Sequence, residues 1–108
     1  MKKDSIIVVD TGTTSIRAFL FDARGCALAV SQVDNPPTYF EDGRVEQDPS
    51  TWSESLINIL RDIAGRAQAE KRGVACIALA SQRSSVIPVD EGGLPLHPAI
   101  MWQDTRTA

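Results

Sequence analysis

Four consecutive apolar residues, Ile6–Val9, follow a charged start and stop at Asp10. An unbroken run of this kind suits a strand covered on both faces, where alternation is not required. Thr11-Gly12-Thr13-Thr14 interrupts it with a glycine and small hydroxyl residues. Ser15–Asp22 then alternates, with Ile16, Ala18 and Leu20 on one side and Arg17, Phe19 and Phe21 on the other, which predicts a second strand. Asp22-Ala23-Arg24-Gly25 reads as a turn and Cys26–Val33 as a third strand. Links this short between three strands predict an antiparallel meander.

The stretch from Asp34 to Gln47 reads as loop, carrying Asn35-Pro36-Pro37 and Asp42-Gly43. Asp48-Pro49 then opens a helix, with Asp48 as N-cap and Pro49 at the first helical position. Trp52, Leu56, Ile59, Leu60, Ile63, Ala64 and Ala67 recur at spacings of three and four and form one apolar stripe. Gly73 is expected to close the helix, and Val74–Ala80 to form a strand parallel to its neighbour through a right-handed crossover. The order so far is β-β-β-α-β, an α/β fold with a mixed sheet. Beyond Ala80 the pattern loosens. Val86–Val89 and Ala99–Trp102 are strand candidates on either side of a turn at Asp90-Glu91-Gly92-Gly93.

Composition narrows the class. A chain of 108 residues with 43% hydrophobic and 23% charged residues is that of one ordinary globular domain at most. The longest apolar run, Val74–Ala80, is far short of the roughly 18 residues of a membrane span. Ile6–Val9 is likewise short of the about 7–15 residues of a secretory h-region. Net charge is −3 and the 11 Lys and Arg are scattered, so neither a nucleic acid nor a membrane is an expected partner. Cys26 and Cys76 lie in apolar stretches without partnering spacing and read as buried thiols. The expected compartment is the cytoplasm.

Three segments carry candidate chemistry. Asp10 at the end of a buried strand calls for a cation or metal, and the turn Gly12-Thr13-Thr14 points backbone N–H groups and hydroxyls one way, as an anion cradle does. Arg17 on the next strand adds a cation. The same residues also suit a hairpin turn whose Asp caps its own backbone. Ser81-Gln82-Arg83-Ser84-Ser85 sits past the carboxyl end of a strand, where α/β sheets place ligands, and its donors suit a polyhydroxylated molecule or a plain polar loop. Met101-Trp102-Gln103-Asp104-Thr105-Arg106 reads either as a sugar-site wall or as a core Trp followed by a surface ion pair. Asp104 is the one carboxylate beside the Arg83 segment that is open as a base. His97 reads as a loop residue, and Glu41, Asp42, Glu46 and Asp48 as a solvated acidic loop.

In order and spacing, four segments resemble the amino-terminal part of the FGGY carbohydrate kinase family, in its glycerol-kinase-like branch. They are Asp10-Thr11-Gly12-Thr13-Thr14-Ser15-Ile16-Arg17, Val45-Glu46-Gln47-Asp48-Pro49 with Trp52, Ser81-Gln82-Arg83, and Ala99-Ile100-Met101-Trp102-Gln103-Asp104-Thr105-Arg106-Thr107. The resemblance implies a ribonuclease-H-like lobe of the actin and hexokinase type, residues 1–108 being the amino-terminal part of the first lobe with the second lobe absent. It implies transfer of the γ-phosphoryl of ATP, with Mg²⁺, to a hydroxyl of a small sugar or polyol. By resemblance Asp10 is the catalytic, metal-associated aspartate, holding Mg²⁺ through water. Gly12, Thr13, Thr14 and Arg17 lie beside the transferred phosphate, Arg17 also being catalytic. Arg83, Ser84 and Trp102 line the acceptor. Ser84 departs from the Glu of glycerol kinases, which argues against glycerol. The family's general base and adenine pocket have no counterpart before Ala108, so 1–108 alone is expected to be inactive, with apolar surface that favours self-association into a homo-oligomer. The contrasting expectation is a non-catalytic actin-like nucleotide-binding or interaction module.

Overall fold

A computed structural model describes residues 2–107. Strands β1 (Lys3–Thr11), β2 (Ser15–Phe21) and β3 (Ala27–Asp34) form an antiparallel meander, as the short links require. The turn between β2 and β3 is closed by Asp22, whose carboxylate accepts the N–H groups of Arg24 and Cys26 at 2.9 Å each. Two short strands, β4 (Thr38–Tyr39) and β5 (Val45–Gln47), precede helix α1 (Pro49–Ala69). Asp48 caps the helix by accepting from Ser50 N at 3.0 Å, and Pro49 stands at its start. Strand β6 (Gly73–Ser81) lies parallel to β1, giving a mixed sheet of order β3-β2-β1-β6. β7 (Ala99–Ile100) joins β4 and β5 in a second sheet of order β4-β5-β7.

The core lies between the large sheet and α1. Ile7 and Val9 of β1, and Ile16, Ala18 and Leu20 of β2, are buried against Ile59, Ile63 and Ala67 of the helix. A smaller cluster of Val45, Ala99 and Met101 joins the second sheet, and Trp52 packs against both clusters. That double contact fixes the start of α1 between the two sheets.

Several expectations from the sequence need correction. Ile6–Val9 is covered on the α1 side only, and Ile6 on the other face is 37% exposed. Because α1 packs over β2 and β3 and barely touches β6, Ile77 and Leu79 are open as well. Cys26 and Cys76 are exposed, not buried: one sits at the β2–β3 turn, the other on the uncovered stretch of β6. Ala64 falls outside the buried part of the helical stripe. Gly73 does not close the helix. The chain leaves α1 through Glu70 and through Lys71 at φ 56°, and Gly73 begins β6. Glycine is needed there for a close approach: a Cβ would stand 2.5 Å from Lys2 O. The loop between β3 and α1 contains β4 and β5, and Glu46 within it is no solvated carboxylate but pairs with Arg106 at 2.7 Å. Val86–Val89 is not a strand; Val86 and Val89 make isolated bridges to Ile100 and Pro95. Ala99–Trp102 is a strand only over Ala99–Ile100.

Candidate active site

Parallel pairing of β1 and β6 sets their carboxyl ends side by side, with Thr11 level with Ser81 and Asp10 level with Ala80. On the other flank Asp10 faces Arg17 directly across the antiparallel β1–β2 pair. The hairpin Gly12–Ser15 projects from this corner and is closed by Gly12 N donating to Ser15 O at 2.9 Å.

Four successive carbonyls of this loop are held by the body of the protein. Thr11 O accepts from Gln82 N at 3.0 Å, and Gly12 O from Gln82 Nε2 at 3.4 Å. Thr13 O accepts from Gln47 Nε2 at 3.3 Å, and Thr14 O from Asn35 N at 2.7 Å. With the carbonyls turned inward, the Thr13 and Thr14 N–H groups have no hydrogen-bond acceptor among the described residues. Paired free N–H groups at a tight turn form a concavity for an anion. The local sequence explains the shape: a Cβ on Gly12 would meet Ser15 O at 3.1 Å.

The Gln47 contact is itself supported. Its side-chain amide donates to Asn35 O as well, and its Oε1 accepts from the indole N–H of Trp52. The buried Gln47 therefore ties the loop to the start of α1 and to the Trp52 contact between the two sheets.

The second and third candidate segments meet the same loop. Gln82 Oε1 accepts from the hydroxyls of Thr13 at 3.4 Å and Ser85 at 3.0 Å. Ser85 Oγ accepts from Trp102 N at 3.1 Å, and the Trp102 indole N–H donates to Thr13 Oγ1 at 2.9 Å. Trp102 is 55% exposed, so it is not a core tryptophan. Between the pinned Gln82 and Ser85, Ser84 adopts φ 68°, a left-handed backbone that non-glycine residues seldom hold outside constrained sites. Beside the loop opens a cleft of about 460 Å³, walled by Gly12, Gln82 and Ser85 and, from α1, by Trp52 and Ser53.

Charge is distributed unevenly around this corner. Asp10, Arg17 and Arg83 are exposed, and among the described residues none of the three makes an ion pair or a side-chain hydrogen bond. Asp10 and Arg17 stand on the face of the sheet away from α1, and the cleft is on the α1 side. A free carboxylate, two free guanidinium groups and a pair of N–H groups without an acceptor among the described residues suit a metal-associated phosphate, whereas the turn does not cap itself: the Asp10 carboxylate accepts from no loop N–H.

Asp104 is committed elsewhere. Its carboxylate accepts from Val45 N at 2.6 Å, Arg106 Nε at 2.8 Å and Arg106 N at 2.9 Å, and its side chain is 2% exposed. The Arg106 guanidinium holds its carboxyl well below the usual carboxylate range, against the opposing effect of burial and with help from the Arg106 and Val45 N–H groups. Such a carboxylate is a fastener between the segment after β7 and β5, not a base. His97 lies in a loop, as expected, and lines a separate groove with Phe40 and Pro95.

Of the site residues expected from sequence, Thr13 and Trp102 are joined directly, and Gly12 belongs to the same network. Asp10 and Arg17 face one another, and Arg83 and Ser84 lie in the adjoining segment without a direct bond to the loop. Gln82 and Ser85 lie in a candidate segment and Gln47 in a matching motif, but sequence alone gives no role to any of them, nor to Asn35. The signal that could have found them is an amide or hydroxyl in a segment already suspected of facing the loop.

A mixed sheet of order β3-β2-β1-β6 that opens with an antiparallel hairpin is the arrangement of a ribonuclease-H-like lobe. Residues 5–108 match the N-terminal domain of the FGGY family of carbohydrate kinases, and the chain belongs to that family. It is 40% identical over 108 residues to a glycerol kinase of Rhodospirillum centenum, covering 99% of this chain and 22% of that protein. To a glycerol kinase of Thermococcus onnurineus it is 40% identical over 103 residues, 95% of this chain and 21% of that protein. A xylulose kinase from Rhodospirillum rubrum superposes with a TM-score of 0.87 at 25% identity, over 94% of this chain and 21% of that one. A gluconate kinase from Lactobacillus acidophilus superposes with a TM-score of 0.82 at 29% identity, over 93% and 20%. The chain thus spans about a fifth of the length of the relatives it matches. No helix among the described residues is long and apolar enough to cross a membrane.

Proposed function

We propose that this chain is the phosphate-handling corner of an ATP-dependent carbohydrate kinase that phosphorylates a hydroxyl of a small sugar or polyol. The observation that carries the reading is the loop whose four carbonyls are held by the body of the protein while the Thr13 and Thr14 N–H groups have no acceptor among the described residues, beside Asp10, Arg17 and Arg83, which make no ion pair there. Relatives named as glycerol, xylulose and gluconate kinases support the same class rather than a non-catalytic module.

In this reading the acceptor oxygen forms a bond to the γ-phosphorus as the bond to the bridging β–γ oxygen breaks, ADP departs, and the hydroxyl proton passes to a base elsewhere in the protein. Mg²⁺ would be held by Asp10 through water and would supply charge neutralisation at the phosphates. Gly12, Thr13 and Thr14 hold the anion through the backbone, and Arg17 offsets charge that grows during transfer. Arg83, Ser84 and Trp102 face the acceptor, the indole offering a flat apolar surface to C–H bonds and the guanidinium donating to hydroxyls. Ser84 offers one neutral hydroxyl where glycerol kinases place a carboxylate, so we propose an acceptor other than glycerol. The rest of the first lobe would cover the open sheet face and the free edge of β6, with a cytoplasmic location for the whole enzyme.

The test is ADP release by the complete protein with ATP and Mg²⁺ across a panel of polyols, ketoses, aldoses and sugar acids. Acceptor-dependent release with kcat/KM for another acceptor above that for glycerol is the expected result. Release with none of the panel overturns the kinase reading, and glycerol as best acceptor overturns the argument from Ser84.

A further inference from the structure

Resting on the kinase reading above, we propose that Gln82 is a positioning residue that sets the acceptor wall against the phosphate loop by orienting two hydroxyl groups. It touches three successive loop residues: its N–H donates to Thr11 O, its Nε2 to Gly12 O, and its Oε1 accepts from Thr13. The same oxygen accepts from Ser85, which takes the backbone N–H of Trp102, and the Trp102 indole returns to Thr13. The contacts form a closed ring through Gln82, Thr13, Trp102 and Ser85.

The direction of each bond in that ring follows from the chemistry of the groups. A hydroxyl has one proton, and an amide oxygen has none. Thr13 and Ser85 therefore both spend their proton on Gln82 Oε1, and each turns a lone pair toward Trp102: Thr13 toward the indole N–H, Ser85 toward the backbone N–H. Trp102 is thus gripped at the ring and at the main chain by two hydroxyls whose orientation a single oxygen decides. The two links from the Gln82 side chain to the loop, 3.4 Å each, are longer than the other bonds of the ring. Contacts around a reaction centre are commonly long until substrate is bound and then tighten. The Gln82 side chain is spent on Gly12, Thr13 and Ser85, so in this proposal its effect passes through Thr13 and Trp102.

Loss of this ring should misalign acceptor and phosphoryl group while leaving both binding surfaces in place. The experiment uses the complete kinase with ¹⁵N-labelled tryptophan, the Trp102 indole signal being identified by its loss in Trp102→Phe. In Gln82→Met the Thr13 and Ser85 hydroxyls lose their common acceptor, and the indole N–H signal should move and exchange faster with water. In Gln82→Glu a carboxylate oxygen still accepts from both hydroxyls, and the indole signal should stay near its wild-type position. For Gln82→Met, kcat should fall at least about tenfold with acceptor KM changed less than about threefold, the pattern of lost alignment rather than lost binding. Ser85→Ala removes one arm of the ring and should also shift the indole signal, which keeps the test open if Gln82→Met does not fold. An indole signal that stays put in Gln82→Met or Ser85→Ala, or that moves equally in the Met and Glu variants, overturns the proposal, as does unchanged kcat in Gln82→Met. If the wild-type protein turns over no acceptor, the kinase reading fails, and the indole comparison alone still decides whether Gln82 orients the ring.

Discussion

Replacing Arg17 by alanine should separate catalysis from folding. Arg17 lies on the uncovered face of β2, opposite Asp10, and makes no ion pair or side-chain hydrogen bond among the described residues. Its loss opens no cavity and orphans no buried partner, so the change in folding free energy should stay within about 0.5 kcal/mol, as for other surface positions. The pairing with Asp10 adds little to that figure, since exposed opposite charges on neighbouring strands are worth roughly 0–1 kcal/mol at most. During phosphoryl transfer the situation differs. A guanidinium that bonds a phosphate oxygen contributes about 1.5–3 kcal/mol, so kcat should fall roughly 10- to 150-fold. The measurement pairs urea unfolding with coupled ADP-release kinetics on the complete enzyme, for the wild type and Arg17→Ala. The same urea midpoint with kcat lowered at least tenfold is the expected result. A kcat within twofold of wild type would refute the assignment of Arg17. A lowered midpoint would show instead that Arg17 is part of the scaffold.

Two further outcomes concern the scaffold around the site. Gly73→Ala places a Cβ 2.5 Å from Lys2 O and 2.9 Å from Lys2 C, both backbone atoms, so overpacking should cost about 1–3 kcal/mol in urea unfolding; an unchanged midpoint would mean that the approach of β1 and β6 relaxes freely. Asp104 has its carboxyl pKa lowered in the fold, first by Arg106 and also by the Arg106 and Val45 N–H groups, so its stabilisation is complete above the unfolded value of about 4 and is lost as pH falls toward the folded value. The Tm gap between wild type and Asp104→Asn should be flat from pH 8 to 5 and narrow from about pH 4 to 3; a gap that widens on acidification contradicts the sign.

The large sheet and its helix were legible because each leaves a periodic trace longer than one turn or one pleat. Ile16, Ala18 and Leu20 alternate with residues of the other face, and Ile59, Ile63 and Ala67 repeat at helical spacing; these side chains make up most of the buried core. β4 and β5 leave no such trace, since two or three residues cannot show a period, and the prolines and Asp42-Gly43 around them mimic a loop. The strand at Val86–Val89 failed for the opposite reason: a run of strand-forming residues met its partner at two isolated bridges only. Apolar character along β1 and β6 predicted which residues want cover, but not which of them α1 covers. That is why Cys76, Ile77 and Leu79 look buried in sequence and are open in the fold.

At the site, sequence could locate the actors but not the bonds between them. Thr13 and Trp102 are 89 positions apart, and nothing in composition or spacing says that the indole N–H ends on that hydroxyl. What brings them together is topology: parallel β1 and β6 put Thr11 beside Ser81, and the segments following each strand then share one corner. Gln82 and Gln47 fall within the matching segments but receive no role from sequence, because a glutamine has no charge to shift and no nucleophile to expose. Its value here is geometric. An amide offers a donor and an acceptor on one rigid plane, and Gln82 uses both on the loop while Gln47 donates to Thr13 O and accepts from Trp52. Replacing either by a one-sided group would satisfy half of those contacts and leave the partner of the other half unmet in a partly buried place, at a cost of about 1–3 kcal/mol. The charges proposed for the chemistry, Asp10, Arg17 and Arg83, by contrast stay exposed and make no ion pair among the described residues, and Asp104, the carboxylate with the strongest partners, is fastened to Arg106 and Val45. In this corner neutral amides build the frame, and the free charges are the ones we propose for the ligand.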